Sequence, residues 1–394
     1  MIDYNSMLNE KIKTIKPSGI RKFFDIASEM DNIISLSIGE PDFKTPWHIR
    51  EAGIASLQAG ETKYTSNKGL TELRHEICRY YDRKFNVKYN GLENCLVTVG
   101  GSEAIDLAMR TLINSGDEVL IPQPSFVCYE PLVQMADGVA VVVETREEDN
   151  FKLMPELLEK AITPNSKILV LPFPNNPTGA IMEREELETI AEIVLKHNLF
   201  VISDEIYAEL TYNGKEHISF ASIEGMKERT VVVSGFSKSY SMTGWRLGYS
   251  LAPKPITDAM TKLHQFAIMS APTTAQYAAI DALKNGDKDI VKMRDEYDMR
   301  RRLVVKRFRE MGLSCFEPEG AFYVFPCIKS TGLTSEEFCM RLLKSKNVAV
   351  VPGNAFGDSG EGFVRVSYSF SIKHIIEALN RVEEFLKEIK EGEQ

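Results

Sequence analysis

Apolar runs and helical patterns alternate along the middle of the chain. The runs are rich in β-branched residues and nearly continuously apolar, which is typical of strands covered on both faces. The predicted strands are 95–99, 118–122, 139–144, 167–173, 199–203 and 230–235. Apolar residues at helical spacing lie between them, as in Leu187, Ile190, Ala191, Val194 and Leu195. This alternation predicts an α/β fold, with a mostly parallel sheet wrapped by helices.

The rest of the chain has a different pattern. A charged helical pattern at about 287–311 is followed by three short strand-like runs and a final helix at about 372–390. The three runs read GAFYVFP, NVAVVP and GFVRVSYS. We therefore predict a large domain at 45–290 and a smaller α+β domain formed by 1–44 and 291–394. Within the charged helix, the basic run Arg300–Arg302 is interpreted as a solvated face.

Composition narrows the class of protein. The 394 residues are 43% hydrophobic and 26% charged, an ordinary globular balance. A net charge of -9 argues against nucleic acid as a partner. No long apolar run or N-terminal signal core occurs, so we expect no membrane span. The cysteines and histidines lack the spacing of metal ligands or of a disulfide framework, which favours a cytoplasmic protein without a metal site.

Polar and aromatic side chains follow the predicted strands in order. In parallel sheets ligands bind at the carboxyl ends of the strands, so these residues are expected to share one crevice. They are Gly101, Ser102, Phe126, Asn176, Asp204, Tyr207, Ser237, Lys238 and Arg246. Each alone has an ordinary explanation, such as a helix cap, a turn, a surface lysine or a core ring. Their occurrence together on successive strand ends indicates a binding site.

Three common motifs do not account for this set. A phosphate-binding P-loop requires glycine directly before its lysine and another six residues before it, where this chain has Ser237 and Val232. The dinucleotide pattern Gly-x-Gly-x-x-Gly is absent after the first strands, and the segment 235–239 does not meet the hydrolase pattern Gly-x-Ser-x-Gly. A ligand that carries a phosphate, a flat ring with a basic nitrogen, a phenolic oxygen and an aldehyde would make use of every one of these residues. That ligand is pyridoxal 5'-phosphate.

The segment GFSKSYSMTGWRLG (235–248) carries a family signature. Asn-Pro-Thr-Gly and Ser-Asp-Glu-Ile-Tyr precede it, with Asn176 and Asp204 lying 62 and 34 residues before Lys238. Over nearly its whole length the chain resembles the fold-type I, class I/II pyridoxal-phosphate aminotransferases. The resemblance is greatest to the aromatic and aspartate aminotransferase-like branch and the related acetyl-diaminopimelate type. It implies a seven-stranded sheet, and transfer of an amino group from an L-amino acid to a 2-oxo acid through a pyridoxamine intermediate.

The resemblance also implies roles for the cofactor-binding residues. Lys238 would form the Schiff base and later move the proton between substrate and cofactor. Asp204 would pair with the pyridinium, and Tyr207 with Asn176 would donate to the phenolic oxygen. Phe126 would stack on the ring. The phosphate would be held by Gly101, Ser102, Ser237 and Arg246, with Ser234 a weaker candidate.

The remaining roles concern the substrate and a second subunit. Arg365 matches the family's arginine for the substrate α-carboxylate, with Gly39 and Asn176 beside the same group. Tyr64 matches a tyrosine that reaches the phosphate of the neighbouring subunit, which implies a homodimer with shared sites. The segment 18–24 (SGIRKFF) is predicted to be a lid over the substrate.

Two other interpretations stay open at this point. A C–S β-lyase would use the same lysine, aspartate and arginine, and the sequence separates it poorly from an aminotransferase. A regulator that borrows the fold is disfavoured, since only about 30 residues precede the segment 35–43 and such regulators carry a DNA-binding domain there. The preferred amino acid is not indicated by any second arginine that we can assign.

Overall fold

A seven-stranded sheet lies at the centre of the computed structural model, which describes residues 2–15, 17, 19 and 32–392. The strands of the chain are β1 (Ile34–Ser35), β2 (Cys95–Thr98), β3 (Glu118–Gln123), β4 (Val139–Glu144), β5 (Ser166–Leu171), β6 (Phe200–Asp204), β7 (Thr230–Gly235), β8 (Gly248–Leu251), β9 (Tyr323–Val324), β10 (Val348–Ala349), β11 (Val351–Pro352) and β12 (Val364–Ser367). Apart from Gly19, the predicted lid at 18–24 lies outside the described residues.

The large sheet has the strand order β2-β8-β7-β6-β5-β3-β4. Strand β8 runs antiparallel to both of its neighbours, and every other pair in this sheet is parallel. The predicted mostly parallel sheet is therefore confirmed. Strand β8 has no counterpart among the strands predicted from apolar runs, because its four residues, GYSL, include no β-branched side chain.

Helices cover the sheet and form the outer layers. They are α1 (Glu10–Thr14), α2 (Trp47–Gln58), α3 (Thr71–Phe85), α4 (Gly100–Leu112), α5 (Tyr129–Met135), α6 (Pro155–Ala161), α7 (Arg184–Lys196), α8 (Lys254–Ala267), α9 (Thr273–Asn285), α10 (Asp287–Glu310), α11 (Ser335–Lys346) and α12 (Ile372–Gly392). The amphipathic pattern near 187–195 corresponds to α7, whose buried positions include Leu187, Ile190 and Val194. The charged helix and the final helix lie where the sequence predicts them.

Two small sheets lie outside the large one. Strand β1 pairs in parallel with β10, and β11, β12 and β9 form a three-stranded antiparallel sheet. One hydrophobic cluster joins Leu36 to side chains between 293 and 389. The segment before the large sheet therefore shares a core with the C-terminal part of the chain.

The run Arg300–Arg302 is not the solvated face that the sequence suggested. Only Arg302 is exposed, whereas Arg301 is fully buried. The guanidinium of Arg301 is bound to Asp298, Glu317 and Asn213, which compensate its charge. Among the residues described, no helix is long and apolar enough to cross a membrane, and no cluster of three potential metal-ligating His, Cys, Asp or Glu residues occurs.

Candidate active site

A cavity of about 700 Å³ opens where the strands of the large sheet end. All of the site residues predicted from the sequence line it, except Tyr64 and the weaker candidate Ser234. They are Gly39, Gly101, Ser102, Phe126, Asn176, Asp204, Tyr207, Ser237, Lys238, Arg246 and Arg365. Residues that are far apart in the sequence thus meet in one space, as the strand-end argument predicts.

Asp204 is the last residue of β6 and is buried. Burial is the largest influence on its carboxyl group and raises the pKa to about 6, because a carboxylate is costly in a medium that solvates it poorly. Two hydrogen bonds act against this shift. The hydroxyl of Tyr129 donates to Oδ2 at 2.7 Å, and the backbone N–H of Ile206 donates to Oδ1 at 3.2 Å. Asp204 is therefore a buried acid that a cation in the cavity would ionise.

Lys238 follows β7, the strand next to β6 in the sheet. Its ammonium donates to the backbone carbonyl of Gly39 at 2.6 Å and lies 5.8 Å from the centre of the Tyr207 ring. Burial, and then the nearby cation Arg365, lower the pKa of the lysine to about 8. About a tenth of the lysine is therefore the neutral amine at pH 7, the form that attacks a carbonyl, far more than for an ordinary lysine.

Arg365 reaches the cavity from β12, outside the large sheet, and is almost fully buried. Its Nη1 donates to Oδ1 of Asn176 at 2.9 Å, and its Nη2 donates to the carbonyl of Ser37 at 2.5 Å. Its buried Nε–H has no hydrogen-bond partner among the described residues. Burial lowers the pKa of this guanidinium. A buried cation with an unused donor is suited to bind a carboxylate.

The start of α4 and Arg246 form the opposite end of the cavity. Gly100 has a φ of +76°, which places the first turn of the helix directly after β2. Arg246 is also left-handed, with a φ of 52°, and its Nη1 donates to the carbonyl of Thr243 at 3.0 Å. A Cβ on Gly100 would lie only 2.7 Å from Nη2 of Arg246. A helix N-terminus and a guanidinium therefore converge, which is a favourable arrangement for a phosphate.

Eleven residues of the cavity lining were not identified from the sequence, and five of them carry polar side chains: Ser37, Glu40, Tyr129, Thr243 and Tyr323. Tyr129 lies three residues after Phe126, and the two rings meet edge to face at 6.2 Å. Tyr323 belongs to the predicted strand GAFYVFP, and its hydroxyl lies 2.8 Å from that of Tyr207. The closeness of Tyr129 to Phe126 and the location of Tyr323 in a predicted strand could have indicated these two residues. Neither of them belongs to a motif that the sequence analysis used.

Two of the predicted phosphate residues lie elsewhere. The side chain of Ser234 donates to the backbone carbonyl of Glu205 at 3.3 Å, and Ser234 does not line the cavity. Tyr64 is 80% exposed and also lies outside the lining. The expected role of Tyr64 involves a neighbouring subunit, so it stays a prediction.

Comparisons with known proteins agree with this geometry. A family model described as aminotransferase class I and II matches residues 31–382. The chain is 45% identical to the aspartate aminotransferase of Pyrococcus abyssi, over 97% of this chain and 99% of that one. It is 43% identical to the aromatic-amino-acid aminotransferase 2 of Thermococcus litoralis, again over 97% and 99%. The solved structure of the aspartate aminotransferase from Thermus thermophilus with maleate covers 96% of this chain and 99% of its own, with a TM-score of 0.92 at 36% identity.

The chain therefore belongs to the class I and II aminotransferases. It is an enzyme that transfers amino groups, and these relatives give no support to the lyase alternative. The resemblance to the aspartate and aromatic branch is confirmed. The family uses pyridoxal 5'-phosphate. The donor set of this cavity fits that group, since it holds a buried acid, an amine of lowered pKa and a helix N-terminus beside an arginine.

Proposed function

We propose that this chain binds pyridoxal 5'-phosphate in the cavity and uses it to move an amino group from an L-amino acid to a 2-oxo acid. The observation that carries the proposal is that Asp204 and Lys238 face the same cavity. They lie at the ends of neighbouring parallel strands, one acidic and one basic, and burial shifts the pKa of each toward neutrality. Such opposed shifts in one cavity are typical of acid–base sites.

The cofactor would supply an aldehyde for the amino group and a ring that withdraws electrons from the substrate Cα. Asp204 would hold a proton on the ring nitrogen, because an adjacent carboxylate favours the cationic form. Asn176 and Tyr207 would donate to the phenolic oxygen, and Phe126 would cover one ring face. The phosphate would lie against Gly101, Ser102, Ser237 and Arg246.

Lys238 would first bind the aldehyde and then carry the proton at the substrate Cα. Its lowered pKa suits both tasks, because a general base is most effective when its pKa lies near the working pH. Its hydrogen bond to the carbonyl of Gly39 shows that the amine can reach the opposite wall of the cavity.

Arg365 would bind the substrate α-carboxylate, with Asn176 and the backbone of Gly39 beside it. The unpartnered Nε–H supports this assignment, since a carboxylate would satisfy it. We further propose that donors come from two classes, aspartate and aromatic amino acids, because relatives of nearly equal similarity are named for each. Initial rates with single amino acids and 2-oxoglutarate would rank them, and activity confined to other amino acids would contradict this assignment.

A second copy of the chain would complete the site. Tyr64 is 80% exposed and Phe266 is 87% exposed, and Ile268 and Met269 near Phe266 are exposed as well. Exposed apolar side chains that share one face are typical of a surface that a partner covers. Asn67, close to Tyr64 in the sequence, donates to the carbonyl of Met269, which connects this loop to the segment that follows α8. We therefore propose a homodimer in which Tyr64 serves the partner's phosphate.

Mixed subunits would test this sharing. Tyr64→Ala and Lys238→Ala homodimers should each be impaired, but refolding them together should restore activity, because one site of each hybrid dimer would be intact. The absence of recovery in dimers shown to be hybrid would contradict the shared site.

We also propose the domain division at 45 and 290. It is supported by the pairing of β1 with β10 and by the core that joins Leu36 to the C-terminal region. Hydrogen exchange should show 32–44 and 291–392 opening together as one unit that is separate from 95–251, whereas a single opening unit spanning both regions would contradict the division.

The proposed function is tested by the visible absorbance of protein supplied with pyridoxal phosphate. A band should appear and should convert when an amino acid is added without an acceptor. In a separate sample, borohydride reduction before any amino acid is added should fix the cofactor mass on the peptide that contains Lys238. Lys238→Ala should lose this label and transaminate at least about 10²-fold more slowly, as for loss of a general base. Lys254→Ala, at an exposed lysine, is the control, and unchanged turnover in Lys238→Ala would refute the assignment.

A further inference from the structure

The hydroxyl of Tyr323 makes one contact that the assigned roles do not use. It lies 2.8 Å from the hydroxyl of Tyr207, and it has no other hydrogen-bond partner among the described residues. Both tyrosines are buried and both line the cavity. Buried hydroxyls need a partner, and each of these supplies the other's. The two residues come from different parts of the fold, since Tyr207 follows β6 and Tyr323 is in β9.

Tyr323 also lies beneath the guanidinium of Arg365, which is 4.5 Å from the centre of its ring. Strand β9 pairs with β12, the strand that carries Arg365, so the same small sheet positions both side chains. Glycine at position 39 leaves room for the Tyr323 hydroxyl, because any Cβ at that position would collide with it. Tyr323 thus connects the carboxylate-binding arginine to the tyrosine at the proposed cofactor.

Each hydroxyl has a single proton, so the direction of this hydrogen bond matters. If Tyr207 donates to Tyr323, its proton is not available to the cavity. If Tyr323 donates, the proton of Tyr207 is free to point at an acceptor in the cavity. The charges favour the second arrangement. Burial raises the pKa of both hydroxyls, and it raises that of Tyr207 further than that of Tyr323. Arg365 acts against this rise in both, but Asp204 adds to it in Tyr207, so Tyr323 is the more acidic hydroxyl and the stronger donor.

We propose that Tyr323 is a positioning residue that donates to Tyr207 and so directs the Tyr207 proton at the phenolic oxygen of the cofactor. The inference rests on the proposed function, because it requires that oxygen to be present. A hydroxyl that accepts one hydrogen bond donates a second more strongly, so Tyr323 also strengthens the bond that Tyr207 makes.

Tyr323→Phe tests the inference, because it removes the hydroxyl and keeps the ring beneath Arg365. The readout is the pH midpoint at which the visible absorbance of the cofactor-loaded protein changes. Weakening a donor to the phenolic oxygen disfavours its anionic form, so the midpoint should rise. The expected shift is about 0.4–1 pH unit, the equivalent of one weakened hydrogen bond. An unchanged midpoint would overturn the inference.

Tyr368→Phe is the matched control. Tyr368 is buried in the same core, its hydroxyl donates to the carbonyl of Ala321 at 3.2 Å, and it does not line the cavity. Its removal should leave the midpoint in place. A shift as large as that of Tyr323→Phe would show that any lost core hydroxyl has this effect, and the positioning role would be rejected.

A double-mutant cycle asks whether Tyr323 acts through Tyr207. Tyr207→Phe should shift the midpoint more than Tyr323→Phe does, and adding Tyr323→Phe to it should cause no further shift. Fully additive shifts would mean an independent effect and would overturn the inference alone. A wild-type protein that shows no visible band when supplied with pyridoxal phosphate would instead overturn the proposed function, and this inference with it.

Discussion

The cavity has two walls that the chain builds in different ways. One wall is the edge of the large sheet, where Asp204 ends β6 and Lys238 lies three residues after the neighbouring parallel strand β7. The other wall comes from outside that sheet and includes Gly39, Tyr323 and Arg365. Tyr323 and Arg365 meet because β9 and β12 pair in a small sheet, and Gly39 comes from a segment 284 positions before Tyr323.

The two walls also differ in their charges. At the sheet edge, an acid and a base face the same space, and burial moves the pKa of Asp204 up to about 6 and that of Lys238 down to about 8. The other wall offers a single cation, Arg365, packed against the rings of Tyr323 and Phe356. The first wall is therefore suited to proton transfer, and the second to fixing one carboxylate in place.

Asp204→Asn, a change in the first wall, should cause the largest loss of turnover. Asparagine keeps the size and the hydrogen bond from Tyr129, but it cannot hold a proton on a ring nitrogen through its charge. Turnover should fall at least about 10²-fold, the scale for losing one electrostatic contact to the reacting group. Steady-state rates and cofactor absorbance would measure this, and the cofactor should still bind.

Asp106→Asn is the control for that variant, because Asp106 pairs with Arg110 on the surface of α4, outside the cavity lining. It should leave the rate within a factor of about two, as for surface changes in general. Near-normal turnover in Asp204→Asn would remove Asp204 from its proposed role.

Arg365→Lys tests the second wall. Lysine preserves the charge but not the planar fork, so it cannot replace the contacts to Asn176 and Ser37 while also binding a carboxylate. The ratio kcat/KM should fall about 10–100-fold, corresponding to roughly 1.5–3 kcal/mol for a hydrogen bond to a charged group. Most of the loss should be in KM for the amino acid. Arg302→Lys at the exposed neighbour of Arg301 should change neither constant, and an unaltered KM in Arg365→Lys would exclude it as the carboxylate site.

The same contrast explains what could be predicted from the sequence. The sheet-edge residues were found because a strand end is visible as the last residue of an apolar run, and parallel strands bring such ends together. Strand β8 and the buried Arg301 were missed for a related reason. Four residues without β-branching carry no strand signal, and a basic run gives no sign of the carboxylates that will surround it.

The residues of the second wall could be identified from the sequence only through the family resemblance. Arg365 alone would pass for a surface arginine on an edge strand, and its burial depends on the pairing of β9, β11 and β12. Tyr323 and Tyr129 were missed even with that resemblance. Their roles depend on single hydrogen bonds, to Tyr207 and Asp204, between residues more than seventy positions apart. No local pattern encodes such a contact.

Gly100→Ala should loosen the phosphate end of the first wall. The added Cβ meets both a left-handed φ of +76° and Nη2 of Arg246 at 2.7 Å. We expect cofactor affinity to fall about tenfold, since displacing one arginine contact costs on the order of 1.5 kcal/mol. Gly116→Ala is the matched control, because Gly116 has a φ of +86° and nothing within 4 Å of an added Cβ. It should cost stability without changing affinity, whereas equal affinity losses in both variants would point to backbone strain alone.

A last test leaves turnover aside and concerns the pH dependence of stability in the cofactor-free protein. The pKa of Asp204 rises on folding from 3.8 to about 6, so the folded state binds the proton more tightly and wild-type stability falls as pH rises between these values. Asp204→Asn lacks this titration, so its free energy of unfolding relative to wild type should increase over the same range by roughly 2–3 kcal/mol. Urea denaturation across this range would measure it.

In Asp117→Asn the free energy of unfolding relative to wild type should instead decrease as pH rises, because Lys167 holds the pKa of Asp117 below its usual value. Loading pyridoxal phosphate should reverse the advantage of Asp204→Asn, since the carboxylate would then face a cation and be stabilised by it. A relative stability that does not vary with pH would show that Asp204 is not the buried acid of the first wall. The contrast between a wall that holds a titrating pair and a wall that holds a fixed cation would then no longer stand.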